Sequence, residues 1–408
     1  MNERSEPRLS FFRHNARWLG AGFAMTLLST FGQTSFIALY SSDIRETYGI
    51  SHGAWGAIYM IGTLASGLLM LFAGSLTDNI RARILASGAM IGLALIALWF
   101  FAGVPLWLLP LAIMGLRFFG QGALSHIPTV STGKWFAANR GRAIATVKTG
   151  YAAGEATLPL IFVALIAIIG WQASWAVAAV LLLIGAALVS FLLRTERDPR
   201  IAVDQLESTG LNHHHWTRKE VLCHWLFWVL LPGIIAQPVF STAFFFQQAH
   251  LVEVKGWTLT QFVSFYPAYT LLSVASLIAG GMACDRYGSH RVAPFMLLPL
   301  AAALTIAALG QTLWAAALSL ILLGAMSGTA NAVVGTLWPD LYGTRHLGAV
   351  RAVMTAIMVF ATAAGPGITG FLIDAGVAYE YQLLAMATYS LTMCAVFHIA
   401  LTRVRATA

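Results

Sequence analysis

Residues 194–221 read RTERDPRIAVDQLESTGLNHHHWTRKEV, the only long polar stretch in a chain of 408 residues. Working outward from it, runs of mostly apolar residues fall near 172–193, 142–169, 105–131, 84–103, 52–77 and 17–40 on one side. On the other they fall near 223–249, 259–283, 292–310, 312–336, 349–373 and 381–402. Each has about the 20 residues that a membrane-crossing helix needs. Glycine and proline within the runs do not argue against helices, because neighbouring membrane helices re-satisfy the freed backbone groups. Six runs on each side predict an all-α membrane protein with twelve transmembrane helices in two six-helix pseudo-repeats. The expected domains are 1–193, a linker at 194–221, and 222–408. Composition agrees: 58% of residues are hydrophobic and 10% charged, against roughly 25% charged in a soluble domain. Such a chain cannot cover a water-facing surface.

The net charge of +8 reports topology. Basic residues gather in alternate connections: Arg81 and Arg83; Lys134, Arg140 and Arg142; Arg194, Arg197, Arg200, Arg218 and Lys219; Arg286 and Arg291; Arg345 and Arg351. With Arg4, Arg8, Arg13 and Arg17 at one end and Arg403 and Arg405 at the other they total twenty, whereas the opposite loops hold only Arg45 and Lys255. Basic loops stay in the cytoplasm, so both termini and the linker are expected there, in a cytoplasmic (inner) membrane. No nucleic-acid site is needed to explain the charge. Cys223, Cys284 and Cys394 lack metal-ligand spacing, and His213, His214 and His215 are read as solvated linker. No cofactor or metal is implied. The first run is too long for a signal-peptide core and ends in no small-residue cleavage site, so it is expected to remain as a span.

The halves repeat. At an offset of 207 residues, Tyr59, Thr63, Ser66, Gly74 and Asp78 fall on Tyr266, Thr270, Ser273, Gly281 and Asp285, and Pro159 falls on Pro366. Gln33 and Phe36 correspond to Gln237 and Phe240 at an offset of 204. Parallel repeats of this kind place a binding site near the bilayer midplane, at the repeat interface.

Between the eighth and ninth runs, Gly281-Met-Ala-Cys-Asp285-Arg286-Tyr-Gly288-Ser-His-Arg291 resembles the loop signature G-x-x-x-D-R-x-G-x-x-R of the major facilitator superfamily. Its first copy keeps Gly74 and Asp78 but has Asn79 and Arg81 where arginine and glycine are expected. The resemblance implies a conformational latch made by Gly74, Asp78, Gly281, Asp285, Arg286, Gly288 and Arg291. In it a glycine lets two helices close up, and an aspartate pairs with basic residues. Arg117-Phe-Phe-Gly120-Gln121-Gly122 is similar to the superfamily's membrane-embedded arginine motif. Arg140-Gly-Arg-Ala-Ile-Ala, followed by Gly150, Gly154 and Pro159, is similar to its monocarboxylate and oxalate/formate branch.

Only Arg117, Lys148 and Glu155 lie well inside predicted spans. Each costs roughly 2.5–3.5 kcal/mol at a helix centre, so an accidental trio is improbable. At a rise of about 1.5 Å per residue, Arg117 and Glu155 reach a similar level and Lys148 lies about two turns away on the face of Glu155. Two readings follow. In one, Arg117 and Glu155 form a structural ion pair and Lys148 snorkels to the surface. In the other, the trio faces a central cavity, Arg117 and Lys148 attract an anion, and Glu155 is the proton-coupling group. The same sites in the second half are Gly324, Thr355 and Thr362, so that half offers a neutral wall. Gln33, Tyr59, Gln121, Gln237, Tyr266, Tyr269 and Asn331 complete the candidate substrate-binding set. His126 is read as hydrogen-bonding a neighbour.

The sequence therefore predicts a secondary transporter of a small organic anion of monocarboxylate type, working by alternating access as a monomer in the lipid bilayer, with proton coupling or exchange. Alternatives are a drug exporter using Glu155, a nitrate-like inorganic-anion carrier, and a non-transporting membrane sensor. Nucleotide-driven transport is not expected, because no G-x-x-x-x-G-K-[ST] loop is present, nor is an enzyme, because no nucleophile–base or metal constellation falls at matched depth.

Overall fold

The computed structural model describes residues 8–74, 76–136, 140–195, 211, 214–343 and 346–407. His213, Arg4, Arg197, Arg200 and Arg345 lie outside the described residues, as do the side chains of Arg8, Asp78, Asn79, Arg140, Arg351, Thr355 and Arg405. Among the described residues there is no strand. Among the described residues, eleven helices are long and apolar enough to cross a membrane. They are span 2 (His52–Ala73), span 3 (Ala82–Ala102), span 4 (Leu106–Trp135), span 5 (Gly141–Ile169), span 6 (Trp171–Leu192), span 7 (Trp225–Phe246), span 8 (Leu259–Tyr287), span 9 (Ser289–Leu309), span 10 (Leu313–Tyr342), span 11 (Ile357–Asp374) and span 12 (Tyr379–Arg403). Span 1 is broken into Phe11–Gly32 and Thr34–Tyr48, bent by 46°, and brings the count to twelve. The repeat is visible in the helix starts: His52 and Leu259, Ala82 and Ser289, Leu106 and Leu313 are each 207 residues apart.

The fold divides into two compact units. Unit 1 comprises Met1–Ile50 and Ala57–Gln205; unit 2 comprises Ser51–Gly56 and Leu206–Ala408. The same pairs of spans pack within each. Span 1 lies on span 5 and span 3 on span 6 in unit 1; span 7 lies on span 11 and span 9 on span 12 in unit 2. Lipid supplies no hydrophobic force to drive helices together, so close packing by small residues has to hold them. The tightest instance is span 8 on span 10. A Cβ on Gly324 would collide with the carbonyl of Tyr269, and one on Gly328 would lie 2.6 Å from the nitrogen of Leu277.

Other elements pin the ends. In unit 1, Trp175 stacks between Tyr40 and Phe100, with centroids 4.6 and 5.0 Å away. In unit 2, Lys255 is buried: its Nζ donates to the Ala308 carbonyl (2.7 Å) and lies 3.5 Å from the Glu380 carboxylate. This basic residue of a sequence-predicted outer loop is thus a structural tie between helix ends. The backbone N–H groups of His52 and Gly53, at the start of span 2, donate to Asp374 at 3.1 and 2.7 Å. Of the linker, Arg218–Cys223 is a short helix with a capping box between Thr217 and Glu220. Trp216 reaches span 10, where its N–H donates to the Tyr342 carbonyl (3.1 Å).

Candidate functional site

Two irregularities meet at the centre of unit 1. Span 1 loses its helical ladder at Gln33, which is extended at φ −81° and ψ 151° after a tight turn at Ser29–Gly32. Span 4 widens to a π-helix over Leu116–Ala123. A π-turn inside an α-helix commonly marks a functional site. The two defects touch through glycines: a Cβ on Gly32 would fall 2.6 Å from Gly120 Cα and 2.7 Å from Gln121 N. Neither position tolerates a side chain.

Arg117 sits on the π-turn and is buried, at 4% exposure. The break in span 1 leaves carbonyl groups without intrahelical donors. Arg117 Nη1 donates to one of them, Gly32 O, at 3.0 Å, and to Thr34 Oγ1 at 3.3 Å. The guanidinium carbon lies 5.5 Å from the ring centre of Tyr59, a cation–π contact. Tyr59 Oη and Thr34 Oγ1 share a hydrogen bond of 2.7 Å. Arg117 Nε is buried without a partner among the described residues. A buried donor left unsatisfied costs about 1–3 kcal/mol, so this nitrogen is an offer to an acceptor. The sequence pointed to Arg117, Tyr59 and Gln33 but missed Thr34 and the Gly32 carbonyl; the run Gly32-Gln33-Thr34, polar within an apolar stretch, was the available signal.

Glu155 is also buried, on span 5, and its carboxylate accepts from Tyr151 Oη one turn earlier at 3.1 Å. The ion pair weighed for Arg117 and Glu155 is not formed among the described residues. Arg117 is turned to the break in span 1 and Glu155 to its own helix. Lys148 is exposed and makes no hydrogen bond or ion pair among the described residues. His126 makes no hydrogen bond among them either, and lines an apolar groove. The neighbour contact expected of it is not formed among the described residues.

The candidates in unit 2 divide. Tyr266 is fully buried and donates to Gln248 Oε1, and Tyr269 packs its ring on Phe245, 5.3 Å between centroids. Gln237 is half-buried without a hydrogen-bond partner among the described residues. Asn331 is exposed, and its amide donates to the Ser327 carbonyl of its own helix (2.7 Å). In unit 1, Gln121 is exposed and Gln33 is buried at the break.

The sequence profile of the Major Facilitator Superfamily matches residues 22–283 and 267–407. The chain belongs to the major facilitator superfamily. Superfamily structures share its fold. A bacterial homolog of the human lysosomal transporter Spinster, inward-facing and unoccupied, aligns with a TM-score of 0.71 at 14% identity, over 96% of this chain and 97% of that one. The nucleoside transporter NupG aligns at 0.70 and 15% identity, over 94% and 98%. No curated protein sequence matches the chain. The fold is thus that of transporters rather than of an enzyme.

The superfamily loop signature takes an unexpected form here. Close approach of span 8 to span 10 falls on Gly280, whose Cβ would be 3.2 Å from Thr329 Cα, while a Cβ on Gly281 would meet nothing within 4 Å. Gly288 is needed for a different reason: it turns the chain at φ +85°, where a side chain is strained. The expected pairs of Asp285 with Arg286 or Arg291 are not formed among the described residues. All three are exposed, and Arg286 lies over the Tyr287 ring at 5.3 Å. The loop is tied instead by Ser289, whose hydroxyl donates to Asp340. In the first copy, a Cβ on Gly74 would lie 3.1 Å from the Met70 carbonyl.

Proposed function

We propose that the chain is a secondary active transporter of the cytoplasmic (inner) membrane that moves a small organic anion of monocarboxylate type. It works as a monomer by alternating access of the halves 1–193 and 222–408, with both termini and the linker 194–221 in the cytoplasm. The basic-loop excess of twenty residues over two supports the orientation. The loops holding Gly74, Asp78, Gly281, Asp285, Arg286, Gly288 and Arg291 latch one of the alternating states.

The observation that carries the cargo class is the buried Arg117 guanidinium, which has no acidic partner among the described residues and sits at a broken helix. Discontinuous helices are where transporters build their substrate and ion sites. A carboxylate offered to the free Nε satisfies it with a charged acceptor, the stronger kind of hydrogen bond, while Nη1 keeps its amide and hydroxyl acceptors. Tyr59, Gln33 and Gln121 line the same register of unit 1; Gln237, Tyr266, Tyr269 and Asn331 supply a neutral polar wall, and the exposed Lys148 adds attraction for anions. Glu155, in the membrane without a basic partner among the described residues, is the proton-exchanging group.

The test is a thermal-shift screen of the purified protein against monocarboxylates, nitrate, nucleosides and organic cations, followed by uptake into proteoliposomes. Bound ligand raises apparent stability by mass action. Stabilisation by monocarboxylates, lost in Arg117→Gln, is expected; stabilisation by cations alone overturns the proposal. Glu155→Gln is expected to exchange cargo downhill but not to accumulate it under a proton gradient, and accumulation at the wild-type level removes Glu155 from coupling. The second reading, a cationic-drug exporter, draws on the same carboxyl, and cation stabilisation lost in Glu155→Gln would select it.

A further inference from the structure

Spans 2, 3 and 4 of unit 1 enclose a groove of about 230 Å³ whose lining includes Met70, Leu76, Thr77, Ile84, Phe119 and His126. Its rim is continuous with apolar surface: Leu76 is 42% and Ile84 61% exposed, and Phe72, Ile91 and Leu95 beyond them are exposed as well. The floor is open because of one residue. A Cβ on Gly88 would meet nothing within 4 Å, so the space directly above it is open. At the matched register, 207 residues on, unit 2 carries Phe295. The glycine is therefore present in one half of the repeat, where its mate carries an exposed phenylalanine.

Basic residues adjoin the lining in sequence and through Thr77, although Arg83 Nε donates to Ser190 of span 6 at 3.1 Å. Thr77, on its wall, has its carbonyl held by Lys134 Nζ at 2.9 Å. Arg81 and Arg83 are exposed and lie three and one residues before Ile84. Asp78 is the single acidic residue between Thr77 and Ile84 in sequence, against these three cations. Apolar walls adjoined by basic residues match an amphiphile with a long tail and an anionic head, and basic sites between membrane helices recognise such lipid head groups. We propose that this groove binds one acyl chain of an anionic phospholipid from the adjoining leaflet, with the lipid phosphate at Arg81. The tail lies along Leu76, Ile84 and Phe119. The site is separate from Arg117 and stands whichever cargo the transporter carries.

Native mass spectrometry of the detergent-purified full chain tests this, using phosphatidylglycerol and phosphatidylcholine with identical acyl chains. One phosphatidylglycerol is expected to be retained in preference to phosphatidylcholine. Gly88→Phe, which copies unit 2, removes that bound lipid. Arg81→Ala keeps a lipid but lowers the preference about fivefold, the effect of roughly one surface cation on an anionic head group. Equal retention of both lipids by the wild type, or retention unaltered by Gly88→Phe, overturns the proposal. Should Gly88→Phe fail to fold, Ile84→Asp at the exposed rim decides instead: unaltered phosphatidylglycerol retention overturns it, and selective loss supports it.

Discussion

Span 4 and span 10 begin and end at matched positions, yet their middles do opposite things. Where span 10 has Gly324 and Gly328, closed against the backbone of span 8, span 4 has Arg117 and Gln121 on a π-turn. One helix uses the register to shut a crossing; the other uses it to hold a cation beside a break in span 1. Duplicated architecture thus supplies a frame in which one copy keeps the packing and its mate accommodates a buried cation.

The harshest way to break the comparison is to move the charge across. Gly324→Arg places a bulky unpaired cation against the Tyr269 backbone, a cost beyond about 4 kcal/mol, and no monodisperse protein is expected on size-exclusion chromatography. The opposite exchange acts on function. Arg117→Gln removes a charged hydrogen-bond donor worth about 1.5–3 kcal/mol, so anion affinity in a binding assay should fall roughly tenfold to a hundredfold, with the fold intact by circular dichroism. Gly328→Ala, which overpacks the span 8 crossing, should lower stability by about 1–3 kcal/mol, seen as a reduced thermal midpoint. Gln121→Ala, at the same register of unit 1, should leave that midpoint unchanged.

Tyr59→Phe and Tyr266→Phe sharpen the contrast further. Each removes one buried hydrogen bond, to Thr34 or to Gln248, at about 1 kcal/mol. The first, beside Arg117, should also weaken anion binding strongly, and the second, in the neutral wall, only slightly. The smallest effect separates a charged cap from a neutral one. The Thr217 N–H and hydroxyl hold the exposed Glu220 carboxyl below the usual glutamate range. Its contribution is present above the ordinary glutamate pKa and is lost as pH falls through the lowered value of the folded state. Hydrogen exchange at 218–223 should therefore quicken in acid, while the neutral Thr258–Gln261 box of span 8 should not respond.

The twelve spans and their repeat were legible because hydropathy, at about 20 residues per crossing, is a strong signal. Arg117 and Glu155 stood out for the same reason, as charges where charge is expensive. What the residues make of each other was hidden. The break at Gln33 was marked only by the short polar run Gly32-Gln33-Thr34, and the deciding partner of Arg117 is a backbone carbonyl, which no residue type announces. The close approach on Gly280 rather than Gly281 depends on helix rotation, and a one-residue step along a helix changes the face completely. Tyr151, one turn from Glu155, was the partner that spacing alone could have suggested.

The carbonyl of Gly32 has a further consequence. An amide oxygen held by Nη1 gives the guanidinium a protein-borne solvation shell on that edge, so the cation does not stand bare in a medium that would expel it. Under the proposed function, cargo is judged at the remaining nitrogen, Nε, where a carboxylate makes a stronger bond than an alcohol. Discrimination by charge would then be set by the one donor the protein leaves unfilled.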